Sequence, residues 1–152
     1  MKQLPLIPRP QYRKRKTARI IGTRRAQNHV ILKARIPILR RHRAIVLRSI
    51  RDTQDRFHIR IRALAVMSDH LHLVIRVTHR EQFANAMRML AGTIARRIMK
   101  KGTLWRQRVW SRLVLEGRDL WNVCEYVIQN PHKAAIASFD DTWWILGGVL
   151  QV

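Results

Sequence analysis

Phe57 to Val77 reads FHIRIRALAVMSDHLHLVIRV, and this stretch decides the fold class. Its first half alternates, with Phe57, Ile59, Ile61, Ala63 and Ala65 on one side and His58, Arg60 and Arg62 on the other. Alternation at period two marks a half-buried strand, here with a basic outer face. Ser68-Asp69 is a two-residue turn signal. From His70 the alternation resumes: Leu71, Leu73, Ile75 and Val77 point one way, His70, His72, Val74 and Arg76 the other. Two alternating runs about a tight turn predict a β-hairpin.

Upstream, Asn28 to Ile36 (NHVILKARI) is rich in β-branched residues and predicts a strand ended by Pro37. Arg41 to Asp55 places Val46, Ile50 and Thr53 at helical spacing. Downstream, Phe83, Met87, Leu90, Ile94 and Ile98 form the apolar stripe of a helix over Glu81 to Lys101, with Gly102 as its stop. Val109 to Leu115 predicts a strand. Asp119 to Asn130 predicts a helix with Leu120, Val123, Val127 and Ile128 inward, ended by Pro131. The order β-α-β-β-α-β followed by one more helix is α+β, the ferredoxin-like split β-α-β sheet. One sheet face is expected to be covered by helices, and the other to be polar, basic and to carry His70 and His72.

Residues 1–26 read as a basic arm, 27–134 as one domain and 135–152 as a tail. The tail contains the apolar run WWILGGVL from Trp143 to Leu150. It is expected to pack on the domain or to mediate self-association.

Charge narrows the partners. The chain has 152 residues and is 47% hydrophobic, enough for one globular core. It carries 31 Lys and Arg against 9 Asp and Glu, a formal net charge of +22. Such a surface calls for a polyanion, and nucleic acid fits because neutralised phosphates release counterions. Arg predominates, and its fork matches phosphate oxygens and guanine edges. An anionic membrane would ask for a basic amphipathic helix or a lipidation motif, and no lipidation motif is visible. The expected nucleic-acid contacts are Arg13, Lys14, Arg15, Lys16, Arg24 and Arg25 in the arm, with Arg60, Arg62 and Arg76 on the sheet. Cys124 is the sole cysteine, so no intrachain disulfide can form and a reducing compartment is expected. No apolar run approaches the roughly 20 residues of a membrane span, and the N-terminus shows no signal-peptide core.

His70-Leu71-His72 puts two imidazoles on the same side of a strand, a metal half-site or a phosphate-binding pair. Tyr126 and Asn130 are four residues apart and share a helix face, with Gln129 beside them. Tyr12, in the arm, is the only other tyrosine. Trp105, Trp110 and Trp121 are expected in the core rather than stacked on bases. Cys124 is expected to be a small buried hydrophobe. His29 and His58 have no evident partner.

Three segments carry a family resemblance. AVMSDHLHLVI (65–75) resembles the HUH motif (His, bulky hydrophobe, His) of single-tyrosine transposases, notably the REP-associated tyrosine transposases and the small insertion-sequence transposases. LWRQRVWSRLVL (104–115) resembles their segment before the tyrosine helix, and EYVIQNP (125–131) their tyrosine motif. The resemblance spans about residues 27–134. It implies that Tyr126 is the nucleophile of a single-strand DNA nicking and rejoining reaction through a covalent 5′-phosphotyrosine. It implies Mg²⁺ or Mn²⁺ held by His70, His72 and Asn130, although a bis-imidazole site suits other transition metals as well. It further implies single-stranded or hairpin DNA as partner, monomers or homodimers, and a place in the cytoplasm at a bacterial nucleoid. The competing expectations are a catalytically inactive or domesticated binder of structured nucleic acid and, from charge and size alone, an RNA-associated structural protein.

Overall fold

The hairpin forms about the expected Ser68-Asp69 turn. In the computed structural model, which describes residues 19–134 and 143–144, β2 (Arg60–Val66) and β3 (His70–Arg76) pair antiparallel. Arg13, Lys14, Arg15 and Lys16 lie outside the described residues, as does all of the tail but Trp143 and Trp144. The turn closes with the Met67 N–H donating to the His70 carbonyl at 2.9 Å. β1 (Gln27–Lys33) runs antiparallel to β3, and β4 (Trp110–Val114) pairs with the outer side of β1. β1 and β2 are therefore parallel with β3 between them. α1 (Arg43–Phe57) joins β1 to β2, and α2 (Arg80–Ile98) joins β3 to β4. This is the ferredoxin-like split β-α-β arrangement, with α3 (Arg118–Lys133) added after it. A short β5 (Trp143–Trp144) pairs with β2 at Ala63 and Leu64, giving the order β4-β1-β3-β2-β5.

One face holds the larger core. Val30 and Leu32 of β1 and Leu71, Leu73 and Ile75 of β3 pack with Val46 and Ile50 of α1 and Phe83, Leu90 and Ile94 of α2. Each such side chain contributes about 1.5–3 kcal/mol by leaving water. Ile21 packs against this core from ahead of β1, where the Gly22 backbone exchanges two 2.8 Å hydrogen bonds with the Asn28 side chain. A Cβ on Gly22 would sit 2.7 Å from the Gln27 carbonyl oxygen.

Four expectations need correction. The alternation of β2 breaks at Arg62, where the register with β3 shifts between Ile61 and Ala63. The bulge inserts one residue and reverses parity. Ile61, Leu64 and Val66 thus face α1 and α2, while Ala63 and Ala65 turn to the other side. That other side is not an open polar face. α3 lies on it, with Val123, Cys124, Val127 and Ile128 against Ala63, Ala65, Val74 and Val114. Pro131 does not end α3, which runs on to Lys133. The missing proline N–H costs one helical bond, but Pro131 is buried and the Ala134 N–H closes the last turn on the Asn130 carbonyl at 3.1 Å. α2 stops at Ile98, ahead of Gly102, because Met99 is extended and packs against the core.

Candidate functional site

β3 delivers both histidines of the His-x-His pair to the α3 side of the sheet. His70 opens the strand next to the turn, and its Nδ1 lies 2.6 Å from Asp69 Oδ1. Lys33 Nζ approaches the same carboxylate at 4.0 Å. The hydrogen bond from His70 holds the Asp69 carboxyl below its usual range, with the charges of His70 and Lys33 adding to it against a smaller opposing effect of burial. His72 lies deeper and is 3% exposed. Its Nδ1 is 3.1 Å from Nε2 of His29, which β1 places on the same face. Its Nε2 is 3.5 Å from Asn130 Nδ2. A half-turn of that carboxamide would exchange Nδ2 for Oδ1 and offer an oxygen to the same place.

Burial sets the charge state of the inner rings. It drives the His72 pKa down to about 3, with the charges of His70 and His29 pushing further in that direction. It drives His29 down to about 4, helped by the Arg112 guanidinium. At neutral pH both rings are therefore uncharged, the form in which imidazole binds a metal.

α3 brings the tyrosine to these rings. Tyr126 is 46% exposed, and its ring stands edge-on to His72 and His29 at centroid distances of 5.9 and 6.2 Å. Asn130 follows one turn later. Gln129, its neighbour, instead donates to Glu125 at 2.9 Å. The start of α3 is tied to β4: Asp119 accepts from Arg112 at 2.9 Å and from the Leu115 N–H at 3.0 Å. These contacts, Arg112 first, keep the Asp119 carboxyl below its usual range.

Ile31, Lys33, His70, His72, Gln107, Trp110 and Tyr126 line a cleft of about 370 Å³. Trp110 was expected in the core but is 41% exposed and meets His29 edge-on at 5.7 Å. Alternation on the outer strand β4 turns it out beside the rings. Trp121 also departs from expectation, being 61% exposed on the outer side of α3. Trp105 is half-buried, packs against the main core and donates its indole N–H to the Ala91 carbonyl at 2.9 Å. Cys124 is buried as expected, and burial pushes its thiol up to about 11.

The sheet arginines do not line the cleft. Arg60 and Arg76 are paired across β2 and β3, six residues along β3 from His70, about 20 Å at the rise of a strand. Arg24 and Arg25 sit exposed at that same end, with the Arg24 N–H bonded to the Val77 carbonyl. Arg62 occupies the bulge with its Nε buried. Lys33 is the cation that lines the cleft. His29, Lys33 and Trp110 are the residues that sequence reasoning missed. Their signal lies in strand pairing: β1 against β3 sets Lys33 opposite His70 and Ile31 opposite His72, and β4 sets Trp110 opposite Ile31.

Among the described residues no group of three or more His, Cys, Asp or Glu side chains could hold a metal ion. The available donor set is two imidazoles and one amide. It fits a divalent ion in one respect visible in the hydrogen bonds: each histidine is engaged at Nδ1, His70 by Asp69 and His72 by His29. A hydrogen-bond partner on one ring nitrogen, fixing the ring's orientation, is the usual companion of metal ligation through the other.

The model of the family described as "Transposase IS200 like" matches residues 22–128, well over half of the chain. Among solved structures, the chain is similar to a REP-associated tyrosine transposase bound to a REP hairpin. That match has a TM-score of 0.71 and 15% identity, and covers 82% of this chain and 76% of that one. It is also similar to a putative transposase from Deinococcus radiodurans R1, with a TM-score of 0.52, 20% identity and coverage of 75% and 95%. A search of curated proteins returned no match. Among the described residues no helix is long and apolar enough to cross a membrane.

Proposed function

This chain belongs to the family of IS200-like transposases, and we propose that it nicks and rejoins single-stranded DNA through a covalent 5′-phosphotyrosine on Tyr126. One observation carries the reading: Tyr126 and Asn130, a turn apart on α3, both reach His72 on β3. The tyrosine oxygen forms a bond to the scissile phosphorus. The bond to the 3′ oxygen breaks, its electron pair stays on that oxygen, and protonation gives a 3′-hydroxyl while the phenolic proton passes to solvent. Rejoining is the reverse attack by a 3′-hydroxyl on the phosphotyrosine, so the phosphodiester energy is conserved.

His70, His72 and Asn130 are the residues that would hold Mg²⁺ or Mn²⁺. Bound there, the ion supplies positive charge that polarises the phosphate and offsets the weak nucleophilicity of a neutral phenol. Lys33 adds a fixed cation in the cleft wall. Arg24, Arg25, Arg60 and Arg76, with Arg13, Lys14, Arg15 and Lys16 of the arm, hold flanking phosphates away from the chemistry. The partner is single-stranded or hairpin DNA, consistent with the hairpin on the similar solved structure and with the +22 charge. The site of action is the bacterial nucleoid.

The test is to incubate the full chain with single-stranded hairpin DNA and Mn²⁺ and to look for an adduct that survives denaturation. The adduct should map to Tyr126, carry the 5′ side of the nick and vanish in Tyr126→Phe. Cleavage that persists in Tyr126→Phe without any adduct would mean a water nucleophile. Tight binding with neither nick nor adduct would make the chain a domesticated binder.

A further inference from the structure

We infer that His29 is a positioning residue that fixes the ring of His72 through a nitrogen-to-nitrogen hydrogen bond, leaving His72 Nε2 free to face the cleft. The inference rests on the metal reading of His70, His72 and Asn130 proposed above.

The two rings lie 16° from parallel with centroids 5.4 Å apart, while His29 Nε2 and His72 Nδ1 are 3.1 Å apart. Rings joined nitrogen to nitrogen require this separation, so the contact is edge to edge rather than face to face. In a bond between two neutral imidazoles one nitrogen donates and the other accepts. If His72 Nδ1–H donates to His29 Nε2, His72 Nε2 keeps a bare lone pair beside Asn130. If the proton sits the other way, His72 carries its hydrogen on Nε2 and cannot bind a metal there. Asn130 Nδ2, 3.5 Å from His72 Nε2, matches the first arrangement, in which His29 accepts and holds the tautomer on which His72 depends. The Nε2 of His29 is spent in doing so and is not available as a third ligand.

The surroundings suit this task. Trp110 and Tyr126 stand edge-on to the His29 ring at 84° and 77°, bracing it on two sides. His70 has the parallel arrangement, with Asp69 at its Nδ1. The two braces differ as their burial demands. Asp69 is in partial contact with water, where a carboxylate is well solvated. His29 is 5% exposed, where an ionised carboxylate would lose its hydration and a neutral acceptor does not.

The experiment is a titration of the full chain with Mn²⁺ alone, without DNA, reading free Mn²⁺ by electron paramagnetic resonance. Four chains are compared: unaltered, His29→Gln, His29→Phe and His72→Ala. His29→Phe keeps a ring and loses the acceptor, so affinity should fall about 10–100-fold, as it does when the partner that orients a metal-binding imidazole is removed. His29→Gln keeps an oxygen that can accept from His72 Nδ1–H and should stay within a few-fold of the unaltered chain. Unchanged affinity in His29→Phe, or equal losses in the two variants, overturns the inference. Should His29→Phe fail to fold, ¹⁵N resonances of His72 in the unaltered metal-free protein decide instead: a proton on Nδ1 supports it and a proton on Nε2 overturns it. If His72→Ala binds Mn²⁺ as tightly as the unaltered chain, the metal reading itself falls and takes this inference with it. Loss in His72→Ala with no loss in His29→Phe removes the inference alone.

Discussion

The two faces of the sheet are built to opposite specifications. Under α1 and α2 the strands present Leu71, Leu73, Ile75, Leu64 and Val66, large aliphatic side chains with no titratable group among them. Under α3 they present Ala63, Ala65 and Val74, then the rings of His29 and His72. Large residues fill the space between layers and stabilise it. Small ones let a helix lie close enough that a side chain on that helix meets a side chain on the strand. The first face supplies the rigidity that the second uses, since β1 and β3 are each held from one side while they display histidines on the other.

The sharpest break of this comparison is His72→Ala. It removes a ring from the α3 face only, so metal-dependent cleavage should be lost while most DNA affinity, carried by cations elsewhere, remains. Cleavage assays across a Mn²⁺ series together with a binding isotherm check it, and parental cleavage in the variant would refute the assignment. Next comes a matched pair of packing changes. Leu73→Ala empties the two-helix face and should lower unfolding stability by about 2–5 kcal/mol in urea titrations, leaving activity per folded molecule near normal. Ala65→Leu overfills the α3 face and should cost about 1–3 kcal/mol. It should reduce cleavage far more than Leu73→Ala does, because it pushes Tyr126 and Asn130 away from His72. If the two variants lose activity in proportion to stability, the division of labour between the faces is wrong. The smallest effect is expected at the anchor of α3. The Asp119 carboxyl titrates below its ordinary value of 3.8 when folded, so its stabilisation is complete above that pH and is lost as pH falls through the lower folded value. Asp119→Asn should cost no more than about 1 kcal/mol near neutrality, as partly exposed pairs do. The difference from the unaltered chain should disappear in strong acid, which thermal melts against pH will reveal.

Much of this was legible in the sequence because its signals are local. Alternation gave the hairpin and put His70 and His72 on one side, and a spacing of four put Tyr126 and Asn130 on another shared face. What stayed hidden depends on partners distant in the chain. His29 lies 43 residues from His72, and nothing in NHVILKARI says that its strand will pair with the one carrying the other rings. Lys33 and Trp110 enter the cleft through the same pairing. The covering of the second face was missed because the alternation of β2, read without its bulge, assigns both alanines to the wrong layer. Pro131 was misread because a local steric preference was outweighed by burial of the turn that contains it.

The bulge at Arg62 also sets how β2 tolerates changes in length. In an ordinary strand, losing one residue exchanges every later side chain between layers, much as a frameshift garbles everything downstream of it. Here the parity has already been reversed once, at Arg62. Deleting that residue would leave Ile61, Leu64 and Val66 facing α1 and α2, with Ala63 and Ala65 still facing α3. Deleting Ala63 instead would keep the same register but set Arg62 opposite Val74, putting a long cation under α3 where a small alanine now lies. Arg62 is thus the position where this strand could shorten by one residue in the course of its history and still keep its two layers apart.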